Sequence, residues 1–226
     1  MNPKSETTCW TLIDKAAHGD EVMRNEFSLK YYSVVRNYLS ARWKKSNLAS
    51  SIDDACQEVF VECLRTEGPL HRAERGRSGG FRAFLFGIVR NVARRTEQLR
   101  ERRPLPGDVE LQHIDADETS LSKVFDRVWA VAIMKEAGER QAMRAASIGD
   151  DAIKRVELLK LRFRDGLPIR AIAKQWGVET VRLHREYSKA RKEFLCSLRE
   201  VVWEQNDGVN SREVDQRCLE LIEMLK

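Results

Sequence analysis

An all-α fold is predicted for this chain of 226 residues: two helical domains joined by a linker, the C-terminal one a helix-turn-helix. Three observations carry the reading. Apolar residues recur three and four apart along most of the chain, and no period-two run longer than a few residues interrupts them. Charged residues make up 33% and aromatics 8%, a balance that suits helical bundles better than a large β core. The stretch from Asp165 to Leu198, DGLPIRAIAKQWGVETVRLHREYSKARKEFLCSL, reads as two short-spaced amphipathic helices around a glycine turn.

Taken in order, Thr11 to Trp43 reads as one or two helices. Leu12 and Ala16 keep helical spacing, as do Phe27, Tyr31, Val34, Val35, Tyr38 and Leu39. His18-Gly19-Asp20 is the break between them, and Asp20 suits the cap of the second. A polar loop, Ser46 to Ser51, leads to a helix capped by Ser51 or Asp53 and running to Arg65. Its apolar stripe is Cys56, Val59, Phe60, Cys63 and Leu64. Thr66 to Gly80 is a Gly- and Arg-rich loop. Phe81 to Arg102 follows as a helix, apolar at Phe84, Leu85, Ile88 and Val92 and basic at Arg90, Arg94 and Arg95; Pro104 and Pro106 end it. Leu105 to Glu118 is a polar, acidic linker. Ser120 to about Ala146 is helical through Val124, Val128, Val131 and Ala132, and Asp151 to Arg164 is helical after a short break.

In the helix-turn-helix, Pro168 suits the first turn of a helix, where its missing N–H costs nothing. Ile169, Ile172 and Trp176 share one face. Ala173 is small where a second helix must cross closely, and Gly177 supplies a positive φ for the turn. The second helix, from Thr180, buries Leu183, Tyr187, Ala190 and Phe194 and turns Arg182, Arg185, Ser188, Lys189 and Lys192 outward. A helix anchored in a small core with a cationic outer face is what a major-groove reader needs. Asp207-Gly208 breaks this long helix. Ser211 then caps an amphipathic tail helix with Val214, Cys218, Leu221, Ile222 and Leu225 on one stripe. A marginal helix of that length must bury its stripe, either as an extension of the C-terminal core or against a basic surface that it restrains.

Charge is partitioned. His71 to Arg103 holds ten Arg against three Glu, and Lys160 to Arg199 holds eleven Lys or Arg against four acids. The linker and the tail are acidic. Two basic modules imply a polyanion touched in two places. The N-terminus has no apolar core of signal-peptide length, and no run approaches the roughly 18 apolar residues of a membrane span, so a cytoplasmic, membrane-free protein is expected. The odd set Cys9, Cys56, Cys63, Cys196 and Cys218 lacks paired spacing, so reduced core thiols are expected rather than zinc or disulfides. No metal site, cofactor site or catalytic constellation is read, and no enzyme activity is expected.

The helix SIDDACQEVFVECLR leaves Asp54, Gln57, Glu58 and Val61 together opposite its apolar stripe. The order D-x-x-Q-E-x-F, a basic loop, then FRAFLFGIVRNVARR resembles the second conserved domain of bacterial RNA polymerase sigma factors, more narrowly the extracytoplasmic-function group. The C-terminal helix-turn-helix resembles that family's fourth conserved domain. The resemblance spans most of Leu12 to Leu198. It implies residues 1–103 as the second conserved domain, 104–118 as linker, 119–202 as the fourth, and 203–226 as an acidic tail outside the common pattern. It implies polymerase docking, on the clamp helices of the largest subunit, through Asp54, Gln57, Glu58 and Val61, with the flap as a further polymerase contact. It implies contact with the start-proximal promoter element by His71, Arg75, Arg77, Phe81, Arg82, Arg90, Asn91 and Arg94. Upstream-element reading falls to Glu179, Thr180, Arg182, Arg185, Lys189 and Lys192. Partners so implied are core polymerase, promoter DNA and, as a class the family admits, an anti-sigma factor. Departures are Phe84 where the family has Trp, Arg95 where it often has Asp, and Arg182-Leu183 where it has Thr-Val. Of the two phenylalanines, Phe84 continues the core stripe, and Phe81 is the one expected to meet the strand. The alternative is a dimeric helix-turn-helix repressor or activator, which normally needs one DNA module and a self-complementary surface. A nucleic-acid enzyme with an accessory helix-turn-helix is the third reading.

Overall fold

A computed structural model describes residues 9–44, 46–74, 80–102, 118–206 and 210–225, and among them the regular structure is helical, with no strand. The predicted strand contacts Arg75 and Arg77, most of the linker and the Asp207-Gly208 break lie outside the described residues. α1 (Cys9–Ala17) and α2 (Glu21–Arg42) meet at the expected break, where the Asp20 carboxylate accepts from the N–H of Met23. α3 (Ile52–Leu64) follows a short 3-10 turn, Asn47–Ser51; Ser51 stands at its cap position without a side-chain cap bond. α4 (Gly80–Arg102) follows a second turn, Pro69–Arg72.

α5 (Glu118–Ile148) is the spine. Leu121, Phe125, Trp129, Ile133, Ala137, Gln141 and Ala145 form one row at every fourth position, all buried. The first half of that row packs on α2 and the second on α6 (Asp150–Phe163) and α8 (Thr180–Gln205). The side chain of Gln141, within the row, donates to the carbonyl of Ala190 at 3.2 Å, a buried tie between α5 and α8. Above it, Arg140 grips Glu204 at 2.6 and 2.8 Å, and Arg144 grips Glu200 at 2.8 and 2.9 Å. One continuous apolar cluster thus joins α1–α4 to the first half of α5, the end of α8 and α9 (Ser211–Glu223). A smaller cluster holds α6, α7 (Ile169–Trp176) and the start of α8.

The centre of the large cluster is aromatic. Tyr31 stacks on Trp129 with centroids 5.5 Å apart, and Phe81 lies 5.3 Å from Tyr31, 6.0 Å from Phe27 and 6.2 Å from Trp10. Burying each such ring contributes roughly 1.5–3 kcal/mol, and edge or stacked contacts add to this.

Several expectations need correction. Phe81 is 2% exposed and central, whereas Phe84 is only half-buried at the cluster's edge. Both satisfy helical spacing; Trp10 and Trp129, brought from remote segments, select Phe81. The helix expected from Val124, Val128, Val131 and Ala132 forms as α5, and its core row is Leu121, Phe125, Trp129 and Ile133, with Val131 52% exposed. The larger rings take the inward face. Cys196 is exposed, whereas Cys9, Cys56, Cys63 and Cys218 are buried, and all five are free thiols. α9 is capped by Asn210, whose side chain accepts from the N–H of Glu213 at 3.0 Å. Ser211 instead accepts from Arg199 of α8 at 2.9 Å. Val214, Cys218 and Leu221 of α9 are buried in the main cluster.

Candidate functional site

On α3, Ala55, Cys56, Val59, Phe60 and Cys63 face the core, which leaves Asp54, Gln57, Glu58 and Val61 as an exposed stripe along the opposite side. Val61 is 62% exposed. Asp53 and Asp54 stand in the first turn, where the helix dipole favours negative charge. Asp53 is drawn sideways to Arg36 of α2 at 3.3 Å, and Glu58 accepts from Arg95 of α4 at 2.7 Å. Among the described residues Asp54 has no cationic partner. Val22 and Leu29 of α2 are exposed as well, and sequence reasoning did not single them out. Their signal was present: both are apolar positions off the α2 core stripe.

The α4 positions fare differently. Arg82 is ion-paired with Asp126 of α5. Arg94 donates to Glu118 Oε1 at 3.1 Å, and Arg42 of α2 donates to the same oxygen at 3.2 Å. Arg90 Nε approaches Glu118 Oε2 at 3.2 Å, an ion pair by distance without an aligned hydrogen bond. Asn91 is exposed. His71 is exposed on the Pro69–Arg72 turn and meets the His18 ring edge-on at 5.1 Å. Phe81 faces inward, so of the α4 residues expected to meet a strand, Asn91 alone is open without an internal partner among the described residues.

Burial alone would raise the Glu118 carboxyl, but the Arg42 hydrogen bond and the charges of Arg42, Arg90 and Arg94 hold it below the ordinary carboxylate value. A carboxyl lowered in the folded state stabilises above its unfolded pKa. That contribution is lost as pH falls through the lowered folded value.

At the C-terminal end, α7 closes on Gly177 at φ +64, and the N–H of Val178 donates to the carbonyl of Ala173 at 3.0 Å. Leu158, Ile169, Ile172, Ala173 and Leu183 form the small core beneath, with Trp176 and Tyr187 packed at its edge. Pro168 stands at the cap position, just before the first helical residue. Arg155 of α6 draws in two acids of α8, Glu193 at 2.8 Å and Glu186 at 3.4 Å. What faces outward is cationic: Arg182, Arg185, Lys189 and Lys192 are exposed, as are Arg170 and Lys174 of α7. Lys189 pairs with Glu186 at 2.8 Å; among the described residues Arg182, Arg185 and Lys192 have no acidic partner. Glu179 is exposed and Thr180 half-buried at the start of α8.

Among the described residues no group of three His, Cys, Asp or Glu side chains converges as metal ligands would, and no helix is long and apolar enough to cross a membrane. Comparison with family models, curated proteins and solved structures finds no match to this chain.

Proposed function

We propose that the chain is a sigma factor, which binds core RNA polymerase and directs it to promoters, and that it works in the cytoplasm. The supporting observation is that one helical frame carries an exposed acidic stripe on α3 and two separate arginine-rich helices, α4 and α8. In this reading Asp54, Gln57, Glu58 and Val61 dock on polymerase. The α4 arginines and Asn91 meet the start-proximal element. α7 and α8 form a helix-turn-helix in which α8 reads the upstream element. Arg155 serves that role indirectly: it draws Glu193 and Glu186 toward α6, away from Arg182, Arg185 and Lys192, which are then open to phosphate. In this reading the two promoter-binding parts are two domains of the factor.

The test uses the complex with core polymerase and genomic fragments selected by the wild-type factor. Arg182→Ala or Arg185→Ala is expected to cost about 1–3 kcal/mol in binding those fragments and to relax choice at one base position. Lys192→Ala is expected to weaken all fragments alike and to lower the salt slope by about one. Unchanged selection and affinity in the Arg182→Ala, Arg185→Ala double variant would remove α8 as the reader.

A further inference from the structure

Three guanidinium groups converge on one part-exposed carboxylate of α5. Arg42 and Arg94 donate to Glu118 Oε1 at 3.2 and 3.1 Å, and Arg90 lies 3.2 Å from Oε2. Further along the same pair of helices, Arg82 meets Asp126. The pairing is antiparallel: early α4 with later α5, and middle α4 with the first turn of α5. Arg82, Arg90 and Arg94, the described arginines of α4 expected to meet a nucleic-acid strand, are therefore each matched to a carboxylate of α5. A carboxylate and a phosphate present the same hydrogen-bond acceptors to a guanidinium fork.

We infer that α5 is a latch: Glu118 and Asp126 occupy, on α4, the places that strand phosphates would take, and a strand binds there only as these carboxylates leave. The inference rests on the reading of α4 as a nucleic-acid face. The latch has two parts that release differently. Glu118 lies at the described start of α5, three residues before the buried Leu121, so freeing it requires only this end of α5 to lift. Asp126 sits between Phe125, which is buried, and the row that includes Trp129, so freeing it requires α5 to shift on the aromatic core. The pairs themselves are part-exposed and open to competition by salt and by other anions. Arg42 keeps Glu97 as a partner when Glu118 departs, so the frame beneath survives opening.

The test measures binding of a labelled single-stranded DNA oligonucleotide of mixed sequence to the full chain, without polymerase. Glu118→Gln with Asp126→Asn is expected to tighten binding on the order of tenfold, since two or three part-exposed pairs no longer compete. Glu139→Gln with Glu157→Gln changes net charge equally, on the second half of α5 and on α6, and is expected to gain clearly less. Adding Arg90→Ala and Arg94→Ala to the latch variant is expected to remove its gain. Inorganic phosphate as competitor separates a general anion site, which it would fill, from a strand site needing several phosphates. Equal affinities for latch variant, control and wild type would overturn the inference, as would a gain untouched by loss of Arg90 and Arg94. Should the latch variant fail to fold, amide exchange on the wild type decides. Protection over residues 118–126 is expected to fall when oligonucleotide binds, and unchanged protection in the bound state would overturn the latch. Absence of oligonucleotide binding by every variant would instead strike the nucleic-acid reading itself.

Discussion

Changing Asp54 and Glu58 together to Lys is expected to abolish binding to core polymerase while helical content stays that of the wild type. Both side chains lie on the exposed stripe of α3, so the core loses nothing. If α3 docks on a basic surface as proposed, reversing two of its charges places like charges together, which costs several kcal/mol. The structural side effect is small: Glu58 gives up a half-exposed pair with Arg95, worth well under 1 kcal/mol. Arg95→Ala breaks the same pair without touching the acidic stripe, so it is the control, and its polymerase binding is expected to persist. Retained binding by the folded double variant would remove α3 as the docking surface.

Arg42→Ala is expected to have the largest effect on stability. The Arg42 side chain is 4% exposed and donates to both oxygens of Glu97 at 2.6 and 2.9 Å, to the Tyr38 hydroxyl at 3.1 Å, and to Glu118. Its removal takes two donors from the Glu97 carboxylate, which keeps the Trp43 indole N–H at 2.8 Å. Breaking a buried pair from one side costs about 3–5 kcal/mol, because a desolvated charge remains. Adding Glu97→Gln is expected to recover part of that loss: the amide needs no counter-charge and still accepts from Trp43. Denaturant unfolding of the three proteins measures this, and a loss below about 1 kcal/mol for Arg42→Ala would mean that water reaches and screens the pair.

What the sequence disclosed, it disclosed locally. The break at His18-Gly19-Asp20 and the turn at Gly177 were legible because glycine and a capping aspartate act on their own neighbours. The outward cations of α8 and the acidic stripe of α3 were legible because a single helix with a clear apolar face settles both of its sides. Phe81 and Phe84 were not separable in that way. Each fits the helical period of α4, and the choice rests on Trp10 and Trp129, which arrive from segments distant in sequence. The spacing of Val124, Val128, Val131 and Ala132 disclosed the helix but not its buried face, as the every-fourth-residue row from Leu121 to Ala145 becomes distinctive only once α2 and α8 lie against it. Glu118 read as the last residue of an acidic linker. Its role as the shared partner of Arg42, Arg90 and Arg94 exists only in three dimensions. Asn210 was passed over for Ser211 because both residue types cap helices and lie side by side.

The most direct measurement of the central claim is transcription. Core RNA polymerase is incubated with fragmented bacterial genomic DNA and nucleotides, with and without the purified chain, and transcript ends are mapped. Transcripts with defined starts that share upstream and start-proximal sequence elements are expected, present only when the chain is added and absent with Asp54→Lys, Glu58→Lys. Transcript ends indistinguishable from those of core polymerase alone, under conditions where the folded chain is in excess, would contradict it.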